Sequence, residues 1–256
     1  MSKPIVFDRP VQSESRDARI EFLRRVIEPW KSELNLRTAL DLGCGVGHFS
    51  AMLRELGLQV TAADARPDNI AEARSRISGV DFRVADVEDP SLAALGTFDL
   101  VVCFGLLYHL ENPLRALRNI QTLTGKLMLL ESISVEGENP FLFLLDEPPG
   151  DDQSLRAVSC YPSEGAIIKM AYRAGFPHVY RFRDLPDHED FRAVVGRARV
   201  RTVIAASIPP LNSHLIEIAS EPKPSRDLWT TDPTGISKVL RRLGRNFKKS
   251  RNRKRP

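Results

Sequence analysis

From residue 36 onward, short apolar runs alternate with stretches whose apolar residues recur at helical spacing. TALDL (38–42) reads as a buried strand, HFSAMLRELG (48–57) as a helix closed by Gly57, and QVTAAD (59–64) as a second strand. PDNIAEARSRIS (67–78) reads as a helix with Pro67 and Asp68 in its first turn, and DFRVAD (81–86) as a third strand. FDLVVCF (98–104) is apolar enough for a strand buried on both faces; PLRALRNIQTL (113–123) predicts a helix and KLMLLES (126–132) a fifth strand. Strands alternating with helices of about ten residues predict a mostly parallel sheet covered on both faces, an α/β fold. Ahead of it, Ile20, Leu23, Val26 and Ile27 mark a lead-in helix within 1–35, with Pro29 expected to end the run.

The regularity breaks after Ser132. Residues 133–160, with FLFLL (141–145) and the acidic, proline-rich DEPPGDD (146–152), read as a long insertion. A helix over 162–174, ended by Gly175, and strands HVYRF (178–182) and RTVIAAS (201–207) follow. No helix is evident between those strands, which suits an antiparallel pair at one sheet edge. Residues 208–235 read as a linker and 236–256 as a basic amphipathic tail, with Ile236, Val239, Leu240, Leu243 and Phe247 at helical spacing.

Charge sharpens that division. The tail carries ten Lys and Arg and no acid; the other 235 residues hold 27 basic against 33 acidic residues, a net of −6 beneath the chain's +4. The isoelectric point near 9.1 therefore reflects the tail. A hydrophobic fraction of 42% excludes a mostly disordered chain, and no run reaches the roughly 18 apolar residues of a membrane span. MSKPIVFDRP carries no apolar signal core, and the scattered Cys44, Cys103 and Cys160 make no disulfide framework, so a cytoplasmic protein is expected. No His, Asp or Glu cluster has metal-ligand spacing, so metal-independent chemistry is expected.

The chemical signal is LDLGCGVGH (40–48), between a strand and a helix. Alternating glycines allow a tight turn and close approach of a ligand to backbone N–H groups at the helix start. A dinucleotide fingerprint needs G-x-G-x-x-G, but Gly43, Gly45 and Gly47 make G-x-G-x-G and His48 stands where the third glycine would fall. No Gly-Lys-Ser/Thr P-loop is present either. Asp64 ends the second strand, where a carboxylate takes ribose hydroxyls, and Asp86 ends the third.

LDLGCGVG, the Asp64 strand end, VADVED and FDLVVCFGLLYHL together resemble the class I S-adenosylmethionine-dependent methyltransferases, over roughly 36–207. The resemblance implies a Rossmann-like seven-stranded sheet with an antiparallel last strand. It implies that Asp41 and the backbone around Gly43, Cys44, Gly45 and Gly47 hold the methionine part of the cofactor. Asp64 would bind the ribose, Asp86 with Val87 the adenine, and Phe104 and Gly105 would line the transfer site. His109 is the candidate general base and Tyr108 a positioning group, with Glu131 a weaker substrate-side candidate. His48 is expected as a first-turn residue, and Tyr161 and FLFLL as pocket wall or lid.

Residues 105–137 and 161–176 are also similar to the catalytic half of bacterial tRNA wobble-uridine carboxymethyl-transferring enzymes, through the L-Y-H-x-x-x-P-L element, the L-E-S strand end and the P-S helix. The acidic body departs from the positive surface that tRNA binding wants, so a different acceptor is expected. That leaves O-methylation of a small-molecule, lipid-linked or sugar acceptor, with tRNA modification and a non-catalytic scaffold as alternatives. For the tail, an anionic membrane surface, nucleic acid and the chain's own acidic body compete as partners.

Overall fold

The apolar runs become the centre of one twisted sheet. The computed structural model describes residues 10–137, 139–147, 153–192 and 199–223. Helix α1 (Pro10–Glu33) leads into β1 (Thr38–Leu42), α2 (His48–Glu55), β2 (Gln59–Asp64), α3 (Pro67–Arg76), β3 (Asp81–Val84), β4 (Phe98–Phe104), α4 (Pro113–Leu123) and β5 (Thr124–Ser134). Then come β6 (Leu142–Asp146), β7 (Val158–Pro162), α5 (Glu164–Ala174), β8 (His178–Phe182), β9 (Val200–Ser207) and β10 (Ile216–Ile218). Eight strands form one sheet in the order β10-β8-β9-β5-β4-β1-β2-β3, and β6 and β7 pair separately. Strands β1 to β5 run parallel; β9 inserts antiparallel between β5 and β8. This is the mostly parallel Rossmann-like sheet expected, with one strand more than seven.

Alternate strand residues feed two cores. Leu100, Val102 and Phe104 of β4 with Leu127 and Leu129 of β5 meet Phe22, Leu23, Val26, Ile27 and Trp30 of α1. Val101, Cys103, Met128 and Leu130 face the opposite way, against Ala116, Leu117 and Ile120 of α4 and Ile167, Ile168 and Ala171 of α5. Each of these large side chains, fully buried, contributes about 1.5–3 kcal/mol. The apolar stripe of α1 continues towards its N-terminus as Arg19 and Ser15, one and two turns beyond Leu23, and there it reaches the carboxyl edge of the sheet.

Several elements differ from the sequence expectation. Helix α1 passes through Pro29 to Glu33, because fully buried Trp30, 6.0 Å from the Phe182 ring, anchors the final turn. Strand β3 stops at Val84, so Asp86 lies in the turn beyond it rather than at its end. The expected insertion contains the β6–β7 hairpin, registered Leu142 to Pro162 through Asp146 to Val158. Within the expected linker, β10 pairs antiparallel with β8, Ile216 opposite Phe182, because the open edge of β8 offers it unpaired backbone groups. Residues 236–256 lie outside the described residues. No described helix is long and apolar enough to cross a membrane.

Candidate active site

The carboxyl ends of β1, β2, β4 and β5 converge on one cleft, where open α/β sheets place their ligands. At the end of β1 the chain turns back through Gly43, with φ +70°. A side chain there would collide with Leu106, the nearest atom lying 2.9 Å from the added Cβ. Gly47 caps α2 at φ +91°, and its Cβ would stand 2.6 Å from Ile77. Gly47 thus serves the packing of the turn on α3 and β3, while Gly43 faces the cleft.

Asp64 is held for binding before any ligand arrives. It accepts hydrogen bonds from Gly45 N (2.9 Å), Arg66 N (2.9 Å) and Asn69 Nδ2 (3.1 Å). A carboxylate has about four acceptor sites, so one remains for a further donor. Asp41 differs from expectation. It is buried beneath the turn, accepts from Ser50 Oγ at 2.6 Å and lines neither cavity of the cleft. Burial, reinforced by Asp64, pushes its carboxyl up to about 7 against the Ser50 hydrogen bond. Asp41 therefore supports the turn from below.

The first cavity is lined by Gly43, Asp64, Asp86, Val87, Gly105 and His109, among others. Arg156, from the hairpin side, closes its outer end. The guanidinium meets Asp86 at 2.8 Å, Glu88 at 3.1 Å and Glu111 at 3.4 Å. Asp86 thus lines the first cavity, shared with a cation that sequence reasoning did not pair with it.

The second cavity, about 280 Å³, shares Gly43, Gly105, His109 and Gln153 with the first and adds Cys44, His48, Phe49, Phe104, Tyr108 and Tyr161. A 3-10 turn, Leu107–His109, drives Leu107 into the core and turns Tyr108 and His109 to the cleft, their rings 4.2 Å apart. His109 is 13% exposed at its side chain; neither ring nitrogen has a hydrogen bond among the described residues, and Nδ1 lies 3.4 Å from Glu147 Oε1. Burial, then the nearby Arg201 charge, pulls its pKa down to about 4, while Gln153 and Glu131 act the other way. At neutral pH the imidazole is neutral, with the Glu147 carboxylate beside Nδ1.

Beneath the cavity, fully buried Glu131 takes two arginines, Arg201 at 2.6 Å and Arg19 at 3.3 Å. It is therefore an anchor for cations rather than a group facing an acceptor. Burial lowers the proton affinity of Arg19, with Glu131 opposing. His48 opens α2 as expected and brings Nε2 to 3.4 Å from Arg16. Gly45 and Gly47 lie within the turn and line neither cavity; Cys103 is core, and Cys160 is buried in β7.

Sequence reasoning missed Arg19, Glu147, Arg156, Arg199 and Arg201. Arg199 and Arg201 carried a local signal, an R-x-R at the start of a strand, which puts both side chains on one face. The others are joined by sequence-distant contacts that no local pattern encodes.

Residues 40–126 match the family model described as a methyltransferase domain. The chain is 38% identical over 118 residues to the ubiquinone biosynthesis O-methyltransferase of Xanthomonas axonopodis pv. citri (strain 306), covering 43% of this chain and 47% of that enzyme. It is 41% identical over 104 residues to that of Xanthomonas euvesicatoria pv. vesicatoria (strain 85-10), covering 38% and 44%. The match thus spans less than half the length of these relatives. Among solved structures, the N-terminal domain of EvdMO1 with SAH bound is similar at a TM-score of 0.60 and 20% identity, covering 77% of this chain and 81% of that one. Magnesium protoporphyrin IX methyltransferase (ChlM) from Synechocystis PCC 6803 with bound SAM is similar at 0.54 and 18% identity, covering 79% and 87%. At these identities the likeness is one of fold.

Proposed function

We propose, from the S-adenosylmethionine-dependent methyltransferase domain that residues 40–126 form, that the chain transfers a methyl group to a hydroxyl oxygen of a small-molecule acceptor. The observation that carries this reading is the meeting of two cavities over Gly43, Gly105, His109 and Gln153, one suited to a nucleoside and one to an acceptor. The names of the Xanthomonas relatives support oxygen as the methylated atom.

The residues present fit the cofactor. Asp64 keeps an acceptor site for ribose hydroxyls, and Asp86 and Val87 line the adenine end. Gly105 leaves space that a side chain would fill, its Cβ position lying 3.4 Å from Arg19 NH1. Arg16 and Arg19, beside the glycine turn, are placed to receive the amino-acid carboxylate. When bound, S-adenosylmethionine supplies an activated methyl group and a neutral sulfur leaving group. Tyr108 and Phe104 wall the acceptor cavity and exclude water. His109 takes the acceptor's hydroxyl proton, and Glu147 beside Nδ1 stabilises the imidazolium that forms. Gln153 N and Ser154 N donate to Glu147 at 3.1 and 2.8 Å, which orients its carboxylate.

Calorimetric titration with S-adenosylmethionine tests the reading. Asp64→Ala should weaken binding roughly 10–100-fold, the worth of hydrogen bonds to a charged group. Asp64→Asn, which keeps the shape of the turn, separates this from loss of folding. A purified chain that binds no cofactor would sink the proposal.

A further inference from the structure

At the mouth of the acceptor cavity stands an exposed arginine, Arg199, that makes no ion pair among the described residues. The other three arginines of the wall are matched: Arg16 meets Asp17, and Arg19 and Arg201 share Glu131, with Asp190 also beside Arg201. Arg16 and Arg19 come from α1 and face the glycine turn. Arg199 immediately precedes β9 and Arg201 is its second residue, sharing Glu131 with Arg19. Neither Arg199 nor Arg201 lines the first cavity.

These two arginines repeat one arrangement. Arg201 stacks its guanidinium 5.9 Å over the Tyr108 ring, and Arg199 stacks 5.7 Å over the Tyr161 ring while donating to its hydroxyl at 3.1 Å. The tyrosines in turn meet edge to face at 6.3 Å. Stacking fixes each planar fork and leaves its N–H edge available. Among the described residues, Arg201 donates to Glu131 and, at 3.4 Å, to Asp190. Arg199 and Arg201 also line an adjoining opening with Ile133, Val200 and Asp190, the last engaged by Arg201, so the pair stands where a ligand would enter.

We propose that the acceptor bears an anionic group, a carboxylate or a phosphate, clamped by Arg199 and Arg201 against Tyr161, with the oxygen to be methylated turned towards His109. The proposal rests on the transferase reading and names the substrate class of that site. Both arginines line the same cavity and the same opening, so both forks can meet one anion.

Calorimetry on the full chain, with and without S-adenosylhomocysteine, separates the possibilities. The probes are benzoate, phenyl phosphate and neutral benzamide. The cofactor-loaded chain should bind one of the anions at least about 10-fold more tightly than benzamide, the scale of one charge-assisted contact. The tighter anion identifies carboxylate or phosphate. Arg199→Gln, at the exposed rim, should abolish the preference while the melting temperature holds; Arg199→Lys should restore part of it. Arg201→Gln should do the same, but leaves Glu131 with one cation fewer, so Arg199 variants decide if it fails to fold. Equal binding of all three probes, no saturation by either anion, or a preference unmoved in Arg199→Gln each overturns the proposal. Failure to bind S-adenosylhomocysteine overturns the transferase reading instead; a chain that still prefers anions would keep the seat as a binding site.

Discussion

His109 and Asp41 are both buried titratable side chains, and their effects on stability oppose each other. The His109 pKa falls from 6.5 to about 4, so between those values the unfolded chain binds more protons and stability rises with pH. That contribution is complete above 6.5 and is lost as pH falls through 4, worth at most about 3 kcal/mol. Asp41, raised from 3.8 to about 7, behaves inversely: its contribution is complete below 3.8 and is lost as pH rises through 7. Chemical denaturation of His109→Gln at pH 5 and 7.5 should therefore show less acid-side loss than the native chain; an unchanged difference would mean that the imidazole is not held neutral by burial. In catalysis, the acid limb of kcat/KM should lie near 4 rather than 6.5. His109→Ala should lower kcat about 10²–10⁴-fold and leave S-adenosylhomocysteine affinity intact. The catalytic histidine candidate was legible because it directly follows a buried strand. Its partner Glu147 was not, because α4, β5 and β6 intervene.

At the scale of elements, legibility followed the range of the forces. Helix α4 begins at Pro113 and ends at Leu123, where its periodicity says it should, because Pro113 and the apolar stripe are local signals. Strands β1, β2 and β4 were legible for the same reason. The passage of α1 through Pro29 was not, since it depends on Trp30 packing against Phe182. Strand β10 exists because β8 offers it an open edge, and the hairpin because two runs on either side of an acidic segment find each other. That hairpin is tied to the cleft by Arg156 on Asp86, Glu88 and Glu111 and by Ser154 Oγ donating to the His109 carbonyl at 3.0 Å. The Arg156 side chain is 40% exposed, so the ties are screened and count for little in global stability. Arg156→Ala should speed hydrogen exchange of residues 142–147 and 153–162 and leave the melting temperature within a few degrees. A drop in melting with no local change in exchange would show Arg156 to be part of the core instead.

For the whole molecule, the distribution of charge matters more than its total. Residues 1–235 have a net charge of −6, yet the acceptor cavity inside them is lined by four arginines and two acids. A net-acidic body discourages indiscriminate binding of polyanions, and the proposed anion would meet Arg199 at the rim of the cavity. The ten basic residues of 236–256 stand apart from this. Every described residue lining the two cavities lies between Ser15 and Arg201. A chain ending at residue 235 should therefore focus below neutrality, against an isoelectric point near 9.1 for the full sequence. Its affinity for S-adenosylhomocysteine should stay within about twofold, a difference below RT. Co-sedimentation of both lengths with anionic vesicles and with tRNA then reads out the tail alone: binding by the full chain only assigns it a tethering role. Loss of cofactor binding on truncation would instead place the tail against the cleft, its positive charge closing over the acidic body.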